Sequence, residues 1–460
     1  MPRIVIIGGG LSGLAAAFRI QQAMPTAELT LLESRDHLGG NIGTDRIDGF
    51  TVERGPNGMF DAKPHTIQLC RDLGLGDRLI AASEGARKNR YLFVRGKLHR
   101  LPGDPLGLIR TPLLSALGKL ALLAEPFRRR SGRVPVDESV AAFARRRLGR
   151  EAADTFIDGL VTGIHAGDPE KLSLKAAFPR LAKFEAESGS VIRGAMRAMK
   201  QRRREMAARG EVPRPQQMWS FREGLQVLID TLAERLKSVV KTGVVVSRLQ
   251  PIPNGWRVSS GDRTWEAEVV VLTTPPHHQA EIFSDIDQEL STDIAGIRSN
   301  AIAVVALGYR EQDAPFRPDG FGYIAPQNTR RDVLGVQWCS RIFPDRAPPG
   351  FVLWRALCGG VNRADVAALP DDELLKVVHA EMTVIMGVTA PPVFTRVIRW
   401  PRAIPQYEVG HSDRVGRIMA RAARYPGLIL GGNAYHGVAM NDCCEHAERV
   451  TASLAGNRDL

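Results

Sequence analysis

The stretch Arg3-Ile4-Val5-Ile6-Ile7-Gly8-Gly9-Gly10-Leu11-Ser12-Gly13 decides the reading of this chain. Its first five residues form a short apolar run, read as a buried strand, that passes directly into G-x-G-x-x-G. Residues 11 to about 24 predict an apolar helix, 29–32 a second buried strand, and Glu33 stands twenty residues beyond the last glycine. Strand, glycine turn, helix, strand and acid in this register make one βαβ unit of the dinucleotide-binding kind. Gly8 permits the tight turn, Gly10 removes the Cβ that would hold a pyrophosphate off the backbone, and Gly13 lets the helix lie close on the sheet. The phosphates then meet free N–H groups from Gly9 through Leu11 and Ser12 and the positive end of the helix. Glu33, with Ser34 beside it, is placed for the ribose hydroxyls, and its charge repels a 2′-phosphate, which argues against NADP.

Outward from this unit, Glu33-Ser34-Arg35-Asp36-His37-Leu38-Gly39-Gly40-Asn41 carries a second glycine pair just past the ribose acid. It resembles the signature of FAD enzymes of the amine oxidase superfamily, in which the pair lets a loop lie against the extended cofactor, so FAD is the expected ligand. The far end of the chain returns to the same place. A strand at 428–430 is followed by Gly431-Gly432-Asn433, by Val438-Ala439-Met440, and then by a helix from about 443 to 454. A glycine turn from strand into helix aims backbone N–H groups at a ligand, here the flavin ring and ribityl chain. Both ends of the chain are therefore expected in one domain, with the middle inserted into it. Residues 241–249, 256–258 and 266–273 read as β-hairpins closing onto that domain, and Val246 is the expected contact on the adenine side.

At 460 residues the chain exceeds a single core and predicts two or three domains. A composition of 44% hydrophobic and 24% charged residues describes a globular protein and excludes a disordered one. Five cysteines without a C-x-x-C pair, two of them adjacent as Cys443-Cys444, predict free thiols in a reducing compartment. With the nucleotide-binding strand beginning at residue 3, no signal peptide is expected. The sequence has no run of eighteen apolar residues to span a membrane, and a cytoplasmic location is expected. His277-His278, His165, His411 and His436 are scattered, with no H-E-x-x-H and no Cys/His cluster, so no metal is expected.

Half of the net charge of +12 lies in one run. Between residues 193 and 214, eight cations (Arg193, Arg197, Lys200, Arg202, Arg203, Arg204, Arg209, Arg214) stand against Glu205 and Glu211, for +6. A solvated helix face or loop accounts for this, with an anionic membrane surface or an acidic substrate as the next readings. Nucleic acid is disfavoured, because no aromatic residues interleave with the run. Upstream, Leu113, Leu114, Leu117, Leu120, Ala121, Leu123 and Phe127 are spaced for an apolar helix face across 111–130, ended by Arg128-Arg129-Arg130. A buried helix with a cationic end fits this pattern, and so does a helix lying in a membrane interface or lining an apolar channel.

Further motifs follow in order over nearly the whole chain. They are Gly55-Pro56-Asn57-Gly58, Arg90-Tyr91-Leu92-Phe93, Gly163-Ile164-His165-Ala166-Gly167-Asp168 with Leu172-Ser173-Leu174, Phe178-Pro179, Ile404-Pro405-Gln406-Tyr407 with Gly410-His411, and Tyr435-His436-Gly437-Val438 with Asn441-Asp442-Cys443. Together they resemble the protoporphyrinogen and coproporphyrinogen oxidases of haem synthesis, a branch of the flavin amine oxidase superfamily. The resemblance implies an α/β fold with α+β insertions. Its parts would be a discontinuous Rossmann-like FAD-binding domain (1–75, 223–275 and 396–460), a mixed-sheet substrate domain (76–100 and 276–395), and a helical domain of the membrane-associating kind (101–222). It also implies that Gly55, Pro56, Asn57 and Gly58 join the cofactor contacts, that Arg90 pairs with a substrate propionate, that Tyr323, Ile324 and Leu357 sandwich the macrocycle, and that Gly163 leaves room beside the flavin.

The reaction so implied removes six electrons and six hydrogens from a porphyrinogen in three passes through one FAD, with molecular oxygen as oxidant and hydrogen peroxide as product. Flavin N5 takes hydride from a methylene bridge, so no side chain is assigned as catalytic beyond the flavin. A porphyrinogen is an apolar macrocycle edged by propionates, which calls for an apolar slot with cations at its rim, and guanidinium suits that pairing better than ammonium. Coproporphyrinogen III and protoporphyrinogen IX both stay open as substrates: Arg90 fits the second, the basic helical segment the first. The alternatives are another amine-oxidase-type flavoenzyme, acting on an amine or carotenoid, and a redox-silent flavin-binding interaction protein. An NAD-dependent dehydrogenase leaves Gly39-Gly40 and Gly432 unexplained.

Overall fold

A computed structural model of the chain describes residues 1–128, 137–208, 210, 215–316 and 318–456. It divides into two compact units, one of Met1–Ala81, Met218–Arg298 and Asp413–Leu460, the other of Ala82–Gln217 and Ser299–Ser412. The three-part division expected from the sequence differs at several boundaries, and residues 76–81 and 218–222 fall in the first unit. Helices Pro276–Phe283 and Gln288–Ala295 join the first unit, because Phe283, Leu290 and Ile294 share a core with Trp256 and Val258. Residues 396–412 join the second, where Phe394–Trp400 is a strand of its sheet. The helical stretch 101–217 also belongs to the second unit, since helix Asp158–His165 packs directly on strands Gly322–Ile324 and Val333–Gln337.

The first unit is built on a parallel five-stranded sheet in the order Val240–Lys241, Glu28–Leu32, Arg3–Ile7, Val269–Leu272, Leu428–Leu430. Its central strands are apolar runs buried on both faces, as parallel strands under two layers must be. The period-two alternation is explicit: Ile4 and Ile6 enter one core, Val5 and Ile7 the other. On the first face, helix Leu11–Ala23 and the C-terminal helix Met440–Leu454 pack together through Leu14, Ala17, Cys444, Ala447 and Val450. Each fully buried aliphatic side chain there contributes about 1.5–3 kcal/mol. All five cysteines are free thiols.

The expected hairpins are drawn differently. Residues 241–249 are not one strand: Val240–Lys241 is the sheet edge, and Arg248–Ile252 starts an antiparallel sheet with Gly255–Ser260 and Arg263–Ala267. Val269–Leu272 runs parallel beside the first strand, inside the core. Gly243 N and Val244 N donate to Arg35 O and Glu33 O, each at 2.8 Å. The valine run 244–246 is thus fastened to the ribose-acid loop by backbone bonds and not by a strand ladder.

A seven-stranded mixed sheet carries the second unit, in the order Phe394–Trp400, Ile302–Arg310, Phe351–Gly359, Val333–Gln337, Gly322–Ile324, Tyr91–Val94, Lys97–Arg100. It is antiparallel except where Gly322–Ile324 meets Tyr91–Val94. Helix Asp371–Met386 covers one face, packing Leu374, Val378, Met382 and Met386 on Val305, Leu307, Trp354 and Ala356. Ile302, Val304, Leu334, Leu357, Ile398 and Trp400 cluster separately.

The apolar helix expected across 111–130 is shorter than its leucine spacing suggests. Ser115 caps Ala116–Leu123, its Oγ accepting from Gly118 N at 3.1 Å, and Pro126 lies in the single tight turn Glu125–Phe127 that follows. Leu113 and Leu114 are buried, whereas Leu117, Leu120, Leu123 and Phe127 are 78, 62, 50 and 83% exposed. The basic run forms helix Val191–Ala208, and the wholly buried Glu125 carboxylate holds its start, accepting from Ser190 Oγ, Val191 N, Ile192 N and Arg147. Arg129, Arg130, Arg209, Glu211 and Arg214 lie outside the described residues. Among the described residues, no helix is long and apolar enough to cross a membrane.

Candidate functional site

The glycine turn follows the carboxyl end of Arg3–Ile7. Gly8 has a φ of 111°, and a Cβ on Gly13 would stand 1.9 Å from Gly8 O, so the helix start is packed on the turn's own carbonyl. Gly39 N donates to Gly9 O at 2.8 Å and Gly10 bridges to Gly39, which lays the second glycine pair flat against the first. A Cβ on Gly10 would meet nothing nearer than Gly40 Cα at 3.8 Å among the described residues. The turn therefore has an open side, and helix Leu11–Ala23 presents there a first turn with neither an acid nor a side-chain cap.

Glu33 is 8% exposed, and its carboxylate does more than wait for a ribose. Its Oε2 accepts from Gly9 N at 2.6 Å, and its Oε1 accepts from Arg35 N at 2.9 Å and Ser34 Oγ at 3.1 Å. It shapes the glycine turn, and with Gly9 N as the one donor to Oε2 among the described residues, a second acceptor position of that oxygen is left for a hydroxyl. Gly55 lies so close to Asn41 that a Cβ would come within 1.9 Å of Asn41 O, which brings Gly55-Pro56-Asn57-Gly58 alongside the Gly39-Gly40-Asn41 loop. Val246 is half-buried at the end of the valine run tied to Glu33 and Arg35.

Strand Leu428–Leu430 delivers the C-terminal turn to the same edge, with Gly431 N donating to Leu272 O at 2.7 Å. Gln279, fully buried, donates to Thr274 O at 2.7 Å and Gly431 O at 3.1 Å while accepting from Tyr435 Oη at 2.6 Å. Sequence reasoning missed this glutamine, whose only signal is its place on a helix that follows a strand-end Thr-Pro-Pro. The buried Thr274 hydroxyl has no hydrogen-bond partner among the described residues, a polar atom left over at the edge where a ligand's polar groups would arrive. Asn433 and Val438 are half-buried, Ala439 exposed, and Met440 opens the C-terminal helix. Cys443, one turn on, is hydrogen-bonded with Ser12 of the glycine turn, and burial pushes its thiol up to about 11, so it stays protonated. All of the predicted cofactor residues lie in the first unit, and the open glycine cradle and leftover hydroxyl fit a dinucleotide.

Within the second unit, direct cross-strand partners form a row, Ile398, Val304, Leu357, Gly335, Ile324, Leu92. Leu357 and Ile324 thus flank a position without a side chain. Gly163 faces the same row, since a Cβ there would lie 2.5 Å from Ile324 Cδ1, and Gly159 one turn earlier lies against Leu92. Tyr323 does not join them. It is 2% exposed on the opposite face, in the core with Phe93, and burial pushes its phenol far up. Arg90 is exposed beside the strand start, its guanidinium 5.1 Å from the centre of the Phe321 ring, and neighbouring protein lowers its pKa by removing water. A separate cavity of about 750 Å³, walled by Arg95, Arg150, Arg331, Glu151 and Asp154, is lined by none of the predicted site residues.

Helix Asp158–His165 is held at both ends by side-chain bonds that the sequence did not reveal, although Gln406 falls within a quoted motif. Asn300 Nδ2 donates to His165 O at 2.9 Å and Ala166 O at 3.0 Å, Gln406 Nε2 to His165 O at 3.1 Å, and Gln327 Nε2 to Gly167 O at 2.5 Å. These bonds sustain a φ of 44° at Ala166, an uncommon conformation for a residue with a Cβ. At the other end, Asp158 accepts from Gln327 N at 3.0 Å and Thr162 Oγ1 at 3.2 Å. Burial pushes Asp158 up to about 6 against those bonds, and burial pushes His165 down to about 4.

A two-glycine cradle on a parallel sheet, closed by a returning C-terminal turn, defines a flavoenzyme of the amine oxidase class. The chain belongs to the flavin-containing amine oxidoreductase family, matching it over residues 11–455, and its cofactor is FAD. It is 31% identical over 465 residues to the coproporphyrinogen III oxidase of Bacillus subtilis, covering 98% of this chain and 97% of that one. To the protoporphyrinogen oxidase of Homo sapiens it is 32% identical over 486 residues, covering 98% of each. Among solved structures, a chain provisionally described as a protoporphyrinogen oxidase, from Exiguobacterium sp. 255-15, superposes with a TM-score of 0.85 at 27% identity over 99% of both chains.

Proposed function

We propose that this protein catalyses the FAD- and oxygen-dependent six-electron oxidation of a porphyrinogen, coproporphyrinogen III or protoporphyrinogen IX, to the porphyrin. The observation that carries the reading is end-to-end similarity to enzymes named for both substrates, on a chain whose glycine cradle fits a dinucleotide. Two-electron acceptance, and return of those electrons to O₂, is the chemistry the flavin supplies when bound. The chain's own residues bind and orient. Gly8 to Gly13 take the pyrophosphate, Glu33 and Ser34 the ribose, Val246 the adenine side, and Gly39-Gly40-Asn41, Gly55 to Gly58, Asn433 and Val438 to Met440 the rest of the cofactor. On the substrate side, Ile324 and Leu357 offer apolar walls, Gly163 clearance, Tyr323 support from behind its strand, and Arg90, steadied on Phe321, a partner for a propionate. No side chain is needed as a general base.

The same reading places the protein in the cytoplasm, resting on the inner face of the cell membrane. Exposed Leu106, Ile109, Leu117, Leu120, Leu123 and Phe127, together with the cations of Val191–Ala208, support that contact. Porphyrin fluorescence, followed in air with each porphyrinogen against an enzyme-free control, tests the activity and ranks the substrates. A yellow protein that raises neither rate above autoxidation overturns the proposal in favour of another flavin oxidase.

A further inference from the structure

We propose that Lys63 is a positioning residue for the flavin: gripped between Asp442 and Glu445, it ties the segment after Gly55-Pro56-Asn57-Gly58 to the start of the C-terminal helix and so sets how firmly FAD is retained. The proposal rests on the cofactor site described above and adds to it a residue that no glycine motif marks.

Lys63 Nζ donates to Asp442 Oδ1 at 2.8 Å and to Glu445 Oε2 at 2.6 Å. The other Asp442 oxygen, Oδ2, accepts from Ala439 N at 3.1 Å. Gly437 has a φ of 130°, and a Cβ there would fall 2.3 Å from that same Oδ2. One carboxylate therefore braces the turn at 437–439 from behind and faces Lys63 on its far side. Asn441 adds two ties between the same segments, donating from Nδ2 to Phe60 O at 2.6 Å and accepting at Oδ1 from Thr66 N at 3.1 Å.

The pattern continues along the helix. Asp442, Glu445 and Glu448 recur every third residue on one face. Glu448 is met by His65 at 2.8 Å and Arg19 at 3.6 Å. Of Lys63, His65 and Arg19, Lys63 alone pairs with Asp442 in the first turn, where the helix dipole disfavours positive charge. Its presence there is poor design for helix stability and good design for joining two walls of a site. Partial burial opposes its charge, yet the hydrogen bonds to both acids raise its pKa. With the lysine side chain 46% exposed, the pairs are open to screening by salt.

The experiment dilutes the FAD-loaded protein and follows the rise in flavin fluorescence as FAD leaves, at about 50 and about 500 mM KCl. Lys63→Met should release FAD about fivefold faster at low salt, with most of the loss restored in Lys63→Arg. High salt should accelerate release from the wild type and leave Lys63→Met unchanged. Equal release rates, or the same salt dependence in both proteins, would overturn the proposal. Should Lys63→Met not accumulate, Glu445→Gln removes one of the two pairs and must show the same salt signature at smaller size, its absence being equally fatal. Failure of the wild type to hold any FAD would refute the cofactor site itself, a separate outcome.

Discussion

Two turns in this molecule fix a stretch of backbone by opposite means. After Arg3–Ile7, side chains have been removed: the chain folds onto itself at Gly8, Gly13, Gly39 and Gly40, where the tightest approaches are to backbone, Gly8 O against Gly13 and Ile42 O against Gly39, and Thr273 and Ile229 pack beside them. After Asp158–His165, side chains have been brought in: carboxamides from Asn300, Gln327 and Gln406 hold three consecutive carbonyls in a conformation alanine rarely adopts. The first turn is intolerant of an added atom, because its tightest neighbours, at Gly13 and Gly39, are main-chain oxygens that cannot swing away. The second is intolerant of a lost donor, because a buried amide or carbonyl is stranded when its partner goes.

Gly13→Ala attacks the first turn where it is tightest and should have the largest effect. A methyl 1.9 Å from Gly8 O cannot be accommodated without moving the helix, so a loss of about 3 kcal/mol or more and a colourless protein are expected. Absorbance in the flavin band and a thermal melt check this; a yellow variant of wild-type stability breaks the comparison. Asn300→Ala attacks the second turn and should cost about 2 kcal/mol. It deletes both donated bonds and strands Ile404 N, which donates to Asn300 Oδ1 at 3.1 Å. Flavin content should stay at the wild-type level while the melting temperature falls, and loss of flavin in this variant would show that the two turns are not independent.

The smallest effect is in pH dependence. Asp158 binds its proton more tightly folded than unfolded, so between about 6 and 3.8 acidification stabilises through it. His165 binds its proton less tightly folded, so between 6.5 and about 4 acidification destabilises through it. The two slopes oppose each other within one helix. Asp158→Asn should therefore leave the histidine's slope uncompensated, and the melting temperature should drop more steeply from pH 6 to pH 4 than in the wild type. Parallel pH profiles would remove the opposition.

The same contrast explains what could be read from residues alone. The nucleotide fold was legible because its determinants are contiguous: strand, glycines, helix and Glu33 fall within the first 33 residues. Asn300 and Gln327 were not, since they act on His165 and Gly167 from 135 and 160 positions away and a carboxamide has no diagnostic spacing; Gln406 falls in a quoted motif, but its bond to His165, across 241 positions, was hidden. Lys63, 379 positions from Asp442, is hidden for the same reason. Val244-Val245-Val246 looked like a strand because β-branched runs usually are, but backbone bonds to Glu33 and Arg35 captured its start first. Leucine spacing overstated the helix at 111–130, where Ser115 and Pro126 set its limits. The resemblance implies that Tyr323, Ile324 and Leu357 all face the macrocycle, yet adjacent strand residues point to opposite faces, and Tyr323 lies in the core behind Ile324.

The first unit draws its sheet from the beginning, the middle and the end of the chain, and that has a consequence for synthesis. A ribosome delivers the glycine turn long before Leu428–Leu430 and helix Met440–Leu454. Val269–Leu272 waits through that interval with an unpaired edge, which makes it the segment most open to mispairing in a nascent chain. A polypeptide that stops short of residue 428 has every glycine of the opening motif and lacks the strand that closes the far side of Val269–Leu272 and the glycine turn that follows it.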